Sequence, residues 1–212
     1  LVYKKREKLP DWLYGGIFYQ VFPDRFFRAG NNPAKADAVI CHDPEKLPDL
    51  MRVKANNDKN NLFYGGDLQG VTEKLDYLKT LGVTCLYLNP IFESSSNHKY
   101  NTADYSRIDE MLGGEDAFKT LLCEAKKRDI AVILDGVFNH TGSDSIYFNK
   151  NGNYPGIGAM QSEKSPYSKW YNFFRYPDSY ESWWGIDTLP RVKSDEESYR
   201  EFLFGEKGII RR

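Results

Sequence analysis

The sequence predicts an α/β fold with a parallel sheet, and three observations support that prediction. Residues 17–22, 83–88 and 130–134 are short apolar runs bounded by glycine, proline or polar residues, as expected of strands covered on both faces. Helical apolar spacing occupies residues 71–81 and 115–129, which lie between those runs. Because the two patterns alternate along the chain, they favour βαβ units with right-handed crossovers.

The first predicted strand follows a segment without a strand or helix pattern. Residues 1–15 are charged and lead into a turn rich in glycine, so we predict a connector from a preceding domain. Residues 17–22 form the first predicted strand, which Pro23 closes. Residues 28–61 then carry Gly, Asn, Asp and Pro with little periodicity, and we expect a loop of this length to be functional or mobile.

The two predicted helices have apolar stripes and terminal signals. In the first helix, Thr72 lies near the start and Gly82 occupies the position of a C-terminal glycine. In the second, acidic residues open the helix and basic residues close it, which suits the helix dipole. The stripes consist of Val71, Leu75, Leu78 and Leu81 in the first helix and of Phe118, Leu121, Leu122 and Ala125 in the second.

The third predicted strand leads into an acid, an amide and an imidazole, which are Asp135, Asn139 and His140. Ligands of parallel sheets bind at the carboxyl ends of the strands, so these three side chains are candidates for a site. The alternative is a strand that merely stops in a polar turn. Spacing alone does not decide between the two.

Neither period is sustained after the third strand. Residues 141–197 combine Gly, Ser, Asn and Pro with many aromatic residues, which predicts an irregular inserted subdomain. Its aromatic side chains are expected mainly to fill a small core, although flat rings also suit ring-shaped ligands. Helical spacing resumes at residues 198–212. Three βα units cannot close a barrel, so we expect the front part of a larger catalytic domain.

Composition argues against several classes of protein. A formal net charge of -1 and the lack of an arginine-rich stripe give no basic field for nucleic acid. No apolar run has the length of a bilayer span and the start has no signal-peptide core, so we expect a soluble segment without a membrane partner. Whether a bacterial parent protein is cytoplasmic or secreted stays open.

The three cysteines, Cys41, Cys85 and Cys123, lack CxxC spacing. We therefore expect free thiols. Cys41 and His42 are adjacent and could supply two metal ligands, but nothing nearby in the sequence completes a zinc site.

Four stretches, in order, resemble conserved segments of one enzyme family. Residues 16–26 are similar to its first strand, residues 63–70 and 89–105 to its second βα unit, and Asp135-Gly-Val-Phe-Asn139-His140 to the signature that closes its third strand. On these segments the chain resembles the α-amylase family, glycoside hydrolase family 13. Within that family it is most similar to the cyclomaltodextrinase, neopullulanase and amylopullulanase group.

The resemblance implies a (β/α)8 TIM barrel with an irregular domain B inserted after the third strand. Residues 16–140 would then be the first three βα units of the barrel, residues 141–197 domain B, and residues 198–212 the start of the third barrel helix, before strands 4–8. It also implies retaining hydrolysis of α-1,4 and, as an option, α-1,6 glucosidic bonds in starch, maltooligosaccharides, cyclodextrins or pullulan.

Retaining hydrolysis needs a carboxylate nucleophile and a carboxylic acid about 5–5.5 Å apart. The family carries them on its fourth and fifth strands, which would lie beyond Arg212. This segment is therefore expected to supply no catalytic residue and to be inactive alone.

The resemblance implies sugar-binding roles for residues at the ends of the second and third strands. Tyr100 matches an aromatic platform that stacks on the sugar, and His98 a polar partner in the same wall. Asp135 matches an acid that organises the floor of the site, and His140 an imidazole that hydrogen-bonds the primary hydroxyl of the sugar. Carboxylates, imidazoles and aromatic faces suit sugar hydroxyls and C–H groups.

The resemblance also raises calcium as a cofactor. Oxygen ligands that match such a site are Asn31, Asp37, Gly65 and Asp67, and Asn139 matches a calcium ligand of other amylases. The Asn-Gly-Asp start that this loop has in the family reads Arg28-Ala-Gly-Asn-Asn here, so bound calcium and a solvated polar loop both stay open. No organic cofactor is expected.

Other readings remain. A transglycosylase of the same family would use the same covalent intermediate with a sugar hydroxyl in place of water, and nothing in these residues separates it from a hydrolase. A non-catalytic binding or transporter-associated subunit usually loses motif residues, whereas Tyr100, Asp135, Asn139 and His140 are present. An unrelated α/β domain would need four chance matches in order, and its glycine pairs lack a phosphate-loop pattern. A homodimer of the full-length protein is compatible with the resemblance.

Overall fold

The computed structural model describes residues 9–41, 43 and 60–211, and its central element is a three-stranded parallel sheet. The strands are β1 (Ile17–Val21), β4 (Val83–Leu88) and β7 (Ala131–Leu134), with β4 in the middle. Backbone pairing aligns Val21 with Leu88 and Leu88 with Leu134. The predicted parallel α/β arrangement is therefore confirmed, and the three strands end together at one edge.

Short paired strands surround this sheet. β2 (Val39–Ile40) pairs in parallel with β3 (Leu62–Phe63), whereas β5 (Phe92–Glu93) is antiparallel to β6 (Asp104–Ile108) and β8 (Phe173–Arg175) to β9 (Ser179–Tyr180). The α-helices are α1 (Pro23–Phe26), α2 (Leu68–Glu73), α3 (Leu75–Thr80), α4 (Gly114–Lys127) and α5 (Glu197–Phe204). Short 3-10 turns lie at Asp11–Leu13, Glu110–Leu112, Ser168–Trp170, Trp183–Gly185 and Ile209–Arg211.

The first predicted helix starts earlier than its apolar spacing indicated and is divided in two. Asp67, and not Thr72, caps it, because the Asp67 carboxylate accepts a hydrogen bond from the Gly70 amide at 2.7 Å. Lys74, with ψ near 2°, separates α2 from α3. Most of the predicted stripe is buried, but Leu81 is exposed; the buried residues are Leu68, Val71, Leu75 and Leu78.

The second predicted helix is confirmed as α4. Leu121 and Ala125 are buried against the sheet core, whereas Leu122, which was assigned to the stripe, is exposed. Cys123 on the same helix is also exposed, Cys85 is buried in β4, and all three cysteines are free thiols as predicted. No helix in the described ranges is both long and apolar enough to cross a bilayer.

Two hydrophobic cores lie on either side of the β5–β6 hairpin. One fills the space between the central sheet and helices α2, α3 and α4, and the other is aromatic. Members of the aromatic core are Tyr105, Tyr147, Phe148, Trp170, Tyr171 and Tyr199. The prediction that most aromatic side chains of residues 141–197 fill an irregular core is thus confirmed, with short elements in place of a sustained helix or strand.

The predicted loop of residues 28–61 contains β2 at its centre. His42 and residues 44–59 lie outside the described residues, so the question of paired metal ligands at Cys41 and His42 stays open. The proposed connector of residues 1–15 is described only from residue 9. The domain boundaries stay predictions.

Glycines let the start of α2 lie directly on the segment that follows β1. The Asp67 amide donates to the Phe27 carbonyl at 3.1 Å, and the Gly66 amide donates to the Asp24 carbonyl at 2.9 Å. A Cβ atom at Gly70 would collide with the Phe27 carbonyl oxygen. Because the neighbour is backbone, the clash cannot be relieved by turning a side chain.

Replacement of Gly70 by alanine should therefore destabilise the protein. We expect Gly70→Ala to lower the free energy of unfolding by about 1–3 kcal/mol, since the helix must move off its neighbour. The matched control is Gly156→Ala, where a Cβ meets nothing within 4 Å. Urea unfolding of both variants measures the difference, and equal stabilities would contradict the packing described here.

Candidate functional site

The central sheet carries a carboxylate at its polar edge. Asp135 directly follows β7, and its amide donates to the Leu88 carbonyl at 3.0 Å. Its carboxylate accepts a hydrogen bond from the Tyr100 hydroxyl at 2.8 Å. Burial and this bond raise the pKa of Tyr100 to about 12, and burial and the nearby Asp135 carboxylate also raise the pKa of Tyr87, a residue of β4. Both phenols therefore stay protonated at neutral pH.

His98 lies beside Tyr100 in the loop between β5 and β6. Its Nδ1 accepts a hydrogen bond from the Tyr100 amide at 3.1 Å, and the two rings stack with centroids 5.9 Å apart. Because an amide can only donate, the proton of the neutral imidazole is on Nε2. Burial, with the Lys99 charge as a second cause, lowers the pKa of His98. The ring is thus a neutral donor at neutral pH.

His140 holds the same loop from the other side. Its Nε2 lies 3.0 Å from the Tyr100 carbonyl oxygen, which can only accept, so the proton of the neutral ring is on Nε2 here also. Nδ1 is buried and has no partner among the described residues. Burial lowers the pKa of His140, although the carbonyl partly opposes that shift. The imidazole therefore fixes the Tyr100 backbone and keeps one acceptor uncommitted.

These contacts join all four predicted sugar-binding residues. We call His98, Tyr100, Asp135 and His140 the edge cluster. The hydrogen bonds run from Asp135 through Tyr100 to both histidines. Gln20 of β1 and Asn89, which follows β4, extend the polar edge through a side-chain hydrogen bond of 2.7 Å. The role of the edge cluster in sugar binding stays a prediction, but the proximity of its four residues is a property of the fold.

A buried charge network supports the edge cluster from beneath. Lys99, between His98 and Tyr100, is 1% exposed, and its ammonium lies 2.6 Å from Asp109. Lys35 lies 2.6 Å from the same carboxylate oxygen and 2.8 Å from Glu93, so two cations meet two anions. Although burial alone would raise it, the two ammonium groups hold the pKa of Asp109 below its usual range.

The backbone at Lys99 depends on this network. Its φ is 59°, in the left-handed region that residues with a Cβ atom seldom adopt. Such a conformation persists only where surrounding contacts fix it. The buried ion pair supplies that constraint, and it thereby sets the positions of the residues on either side, His98 and Tyr100.

The predicted calcium ligands are engaged in a different way. The Asp67 carboxylate accepts hydrogen bonds from the amides of Gly30 and Gly70, both at 2.7 Å, and from the Ala29 amide and the Asn32 side chain, both at 3.3 Å. N–H groups therefore point at the oxygens that a cation would need. This donor set fits a loop anchor and does not fit a calcium ligand.

The other predicted ligands give calcium no further support. Asn31, Asp37 and Asn139 are exposed. Asp37 accepts a hydrogen bond from Asn61, and the Asn139 carbonyl accepts one from Val192. The Gly65 amide donates to Asp24, a second carboxylate that anchors this loop. Within the described ranges no three His, Cys, Asp or Glu side chains group as metal ligands would. Calcium stays an untested prediction.

Sequence reasoning missed three contributors to the site. Tyr87 is hidden in an apolar run, and only its register next to the strand end could have marked it. Lys99 reads as an ordinary surface lysine, and its left-handed backbone leaves no signal in composition. Trp183, whose ring lies 5.3 Å from the His140 ring, was grouped with the other aromatic residues of the inserted segment.

Comparison with known sequences decides the family. The profile of the alpha-amylase catalytic domain matches residues 20–200. The chain belongs to the α-amylase family. The predicted resemblance is thus confirmed.

Relatives in this family share most of the chain. An amylopullulanase of Thermoanaerobacterium saccharolyticum is 45% identical across 99% of this chain. Neopullulanase 2 of Thermoactinomyces vulgaris is 36% identical across 92% of it. The chain spans 18% of the first relative's length and 32% of the second's.

Solved structures of α-amylase family enzymes show the same fold. The type III pullulan hydrolase of Thermococcus kodakarensis superposes with a TM-score of 0.73 at 33% identity, over 88% of this chain and 34% of that one. The cyclic α-maltosyl-(1→6)-maltose hydrolase of Arthrobacter globiformis, in complex with cyclic α-maltosyl-(1→6)-maltose, superposes with a TM-score of 0.74 at 32% identity. The match covers 91% of this chain and 40% of that one. The fold is part of a (β/α)8 barrel with an irregular insertion after its third strand, as predicted.

Loss of the buried ammonium should destabilise the site. We expect Lys99→Met to lower the free energy of unfolding by about 3 kcal/mol, because it leaves the fully buried Asp109 with one cation in place of two. Lys127→Met is the matched control, since Lys127 lies 2.6 Å from Glu124 but its side chain is 62% exposed. There we expect little change. Thermal or urea unfolding measures both variants. Equal stabilities would refute the stabilising role of the buried charge network.

The two histidines should make stability depend on pH. Folding lowers both pKa values below their ordinary 6.5, so the unfolded chain binds more protons and stability falls as pH drops below about 6.5. Each proton contributes at most about 1.4 kcal/mol per pH unit.

Non-titrating replacements isolate this effect. Asn places an acceptor at the position of His98 Nδ1, and Gln places a donor at the position of His140 Nε2. We expect the double variant His98→Asn, His140→Gln to lose less stability than the native protein between pH 7 and pH 5.5. Parallel pH profiles in urea unfolding would show that neither histidine is held neutral.

Proposed function

We propose that the full-length protein carrying this chain is a retaining α-glucan hydrolase whose edge cluster binds the glucosyl unit at the cleavage site. One observation carries the proposal. In a chain of the α-amylase family, the Tyr100 hydroxyl donates to Asp135 at the carboxyl end of the third strand, with a neutral histidine on each side of the Tyr100 backbone.

The chemistry of this cluster suits a sugar. The Tyr100 ring offers an apolar face to pyranose C–H groups, and its hydroxyl fixes the Asp135 carboxylate. A carboxylate has about four acceptor positions, so Asp135 can accept sugar hydroxyls as well. The Nε2–H group of His98 adds one donor for hydroxyl groups. The His140 imidazole is buried and holds the Tyr100 backbone, so its contact with the primary hydroxyl stays a prediction.

Catalysis itself requires a second kind of group. Retention needs a nucleophile and an acid about 5–5.5 Å apart, and the edge cluster holds one carboxylate, Asp135, which is already hydrogen-bonded to the Tyr100 phenol. We assign Asp135 to binding and orientation for that reason. From the resemblance to the family, we infer that the reacting pair lies on the fourth and fifth barrel strands, outside residues 1–212.

The choice of glucan follows from the relatives. Their names include amylopullulanase, neopullulanase and pullulan hydrolase, so we propose maltooligosaccharides and pullulan as substrates. Reducing-sugar release from maltohexaose tests α-1,4 hydrolysis in the full-length protein, and the trisaccharide products of pullulan show which of its two linkage types is cleaved.

Variants at Tyr100 test the role of the cluster. We expect Tyr100→Ala to lower kcat/KM on maltohexaose by about a hundredfold, because both the platform and the Asp135 contact are lost. Tyr100→Phe keeps the ring and should lose less. Tyr77→Ala, at an exposed tyrosine on α3, is the control and should leave kcat/KM unchanged.

The outcomes separate the competing functions. Short products with a net gain of reducing ends support hydrolysis, whereas products longer than the substrate, formed without a gain of reducing ends, indicate a transglycosylase. Binding of maltohexaose without any turnover would indicate a non-catalytic binding subunit. A Tyr100→Ala protein that is folded and fully active would remove the edge cluster from the site.

A further inference from the structure

We propose that Trp184 is a second contact for the α-glucan, which receives a sugar ring beyond the one at the edge cluster. This inference rests on the proposed function and extends its binding site. It is drawn from the exposure of Trp184, its stacking on Trp183, and the contact of Trp183 with His140.

Trp184 is an unusually bare aromatic side chain. It is 85% exposed, although large apolar side chains gain most from burial. Its ring is parallel to the Trp183 ring within 6°, with the centroids 4.6 Å apart. One face of Trp184 is thus covered by a neighbouring indole, and the other is a flat apolar surface.

The stack leads directly to the edge cluster. Trp183 is half-buried, and its ring centroid lies 5.3 Å from that of His140. His140 in turn contacts the Tyr100 carbonyl. A chain of contacts therefore runs from the Tyr100 backbone through His140 and Trp183 to Trp184, and the bare face lies at its outer end.

The backbone holds the stack in place before any ligand arrives. Trp183 exchanges backbone hydrogen bonds with Leu189 and Ile186, at 2.9 and 3.0 Å. Residues 189–192 pair with residues 139–141, next to His140; the contacts are Thr141 with Pro190, His140 with Arg191, and Asn139 with Val192. Trp184 itself has a φ of 52°, in the left-handed region. A fixed platform loses little conformational freedom on binding, which favours affinity.

The chemistry of this surface favours a sugar over other ligands. A flat aromatic face suits the C–H face of a pyranose. Asp187 and Thr188 are exposed in the same loop and can bind hydroxyl groups. A glucan bound at Tyr100 continues into neighbouring glucosyl units, and the bare face of Trp184 offers an apolar surface to one of them.

The test compares a long and a short oligosaccharide on the full-length protein. Trp184→Gly removes the ring and suits the left-handed backbone, so the fold should be retained. We expect it to weaken maltohexaose binding by about fivefold to tenfold and to leave maltose binding within about twofold, since the shorter sugar can be held by the edge cluster. Calorimetric titration with thio-linked analogues of both sugars, which a glycosidase does not hydrolyse, measures both dissociation constants.

Two further variants separate ring stacking from a general loss of surface. Trp184→Tyr keeps an aromatic face and should retain most of the affinity for maltohexaose. Phe174→Ala removes another bare ring of the inserted subdomain, which is 74% exposed on β8 and has no contact with the edge cluster among the described residues. It should leave both dissociation constants unchanged.

Several results would overturn the inference. The inference is overturned if Trp184→Gly binds maltohexaose with unchanged affinity. It is also overturned if the variant loses as much affinity for maltose as for maltohexaose. The third result concerns the fluorescence of Trp184, measured as the difference between the native protein and Trp184→Tyr. If acrylamide does not quench this fluorescence in the absence of sugar, another part of the protein covers the ring. A native protein that binds neither sugar overturns the proposed function as well.

Discussion

The parallel register of three strands is the constraint on which the site depends. β4 lies between β1 and β7, and the paired positions Val21, Leu88 and Leu134 end the strands at one level. Parallel strands need a helix between them, so residues far apart in sequence reach the same edge. Asp135 follows one strand and Tyr87 lies near the end of the next, and their proximity, which raises the pKa of Tyr87, is a direct result of that register.

Charged groups in this protein serve mainly to hold loops. Asp67 and Asp24 accept backbone amides where the segment after β1 meets the start of α2. Asp109 accepts two ammonium groups beneath His98 and Tyr100. A buried charge is tolerated only when it is paired or hydrogen-bonded, and Asp24, Asp67 and Asp109 each have a partner at least ten residues away in the chain. The positions of the edge-cluster residues are therefore set by interactions among residues that lie outside the cluster.

Apolar periodicity in the sequence predicted the long strands and helices. It did not predict features whose conformation or burial is set by contacts between residues far apart in the chain. The three central strands and α4 follow from apolar patterns in the sequence. The break at Lys74 has no such signal, and β5, two residues long, is too short to show alternation. In the site, the family motif predicted His98, Tyr100, Asp135 and His140, whereas Lys99 escaped because lysine is rarely buried and its partner Asp109 is fixed by tertiary structure.

The pairing of residues 139–141 with residues 189–192 divides the inserted segment into a part fixed by backbone contacts and an exposed tip. The paired ends belong to the framework around His140, so substitutions there would disturb the strand terminus. The tip between them, residues 184–188, is exposed and contributes nothing to either hydrophobic core. Substitutions can therefore accumulate at this tip at little cost to folding, so the tip can change its surface chemistry while the framework around His140 stays intact.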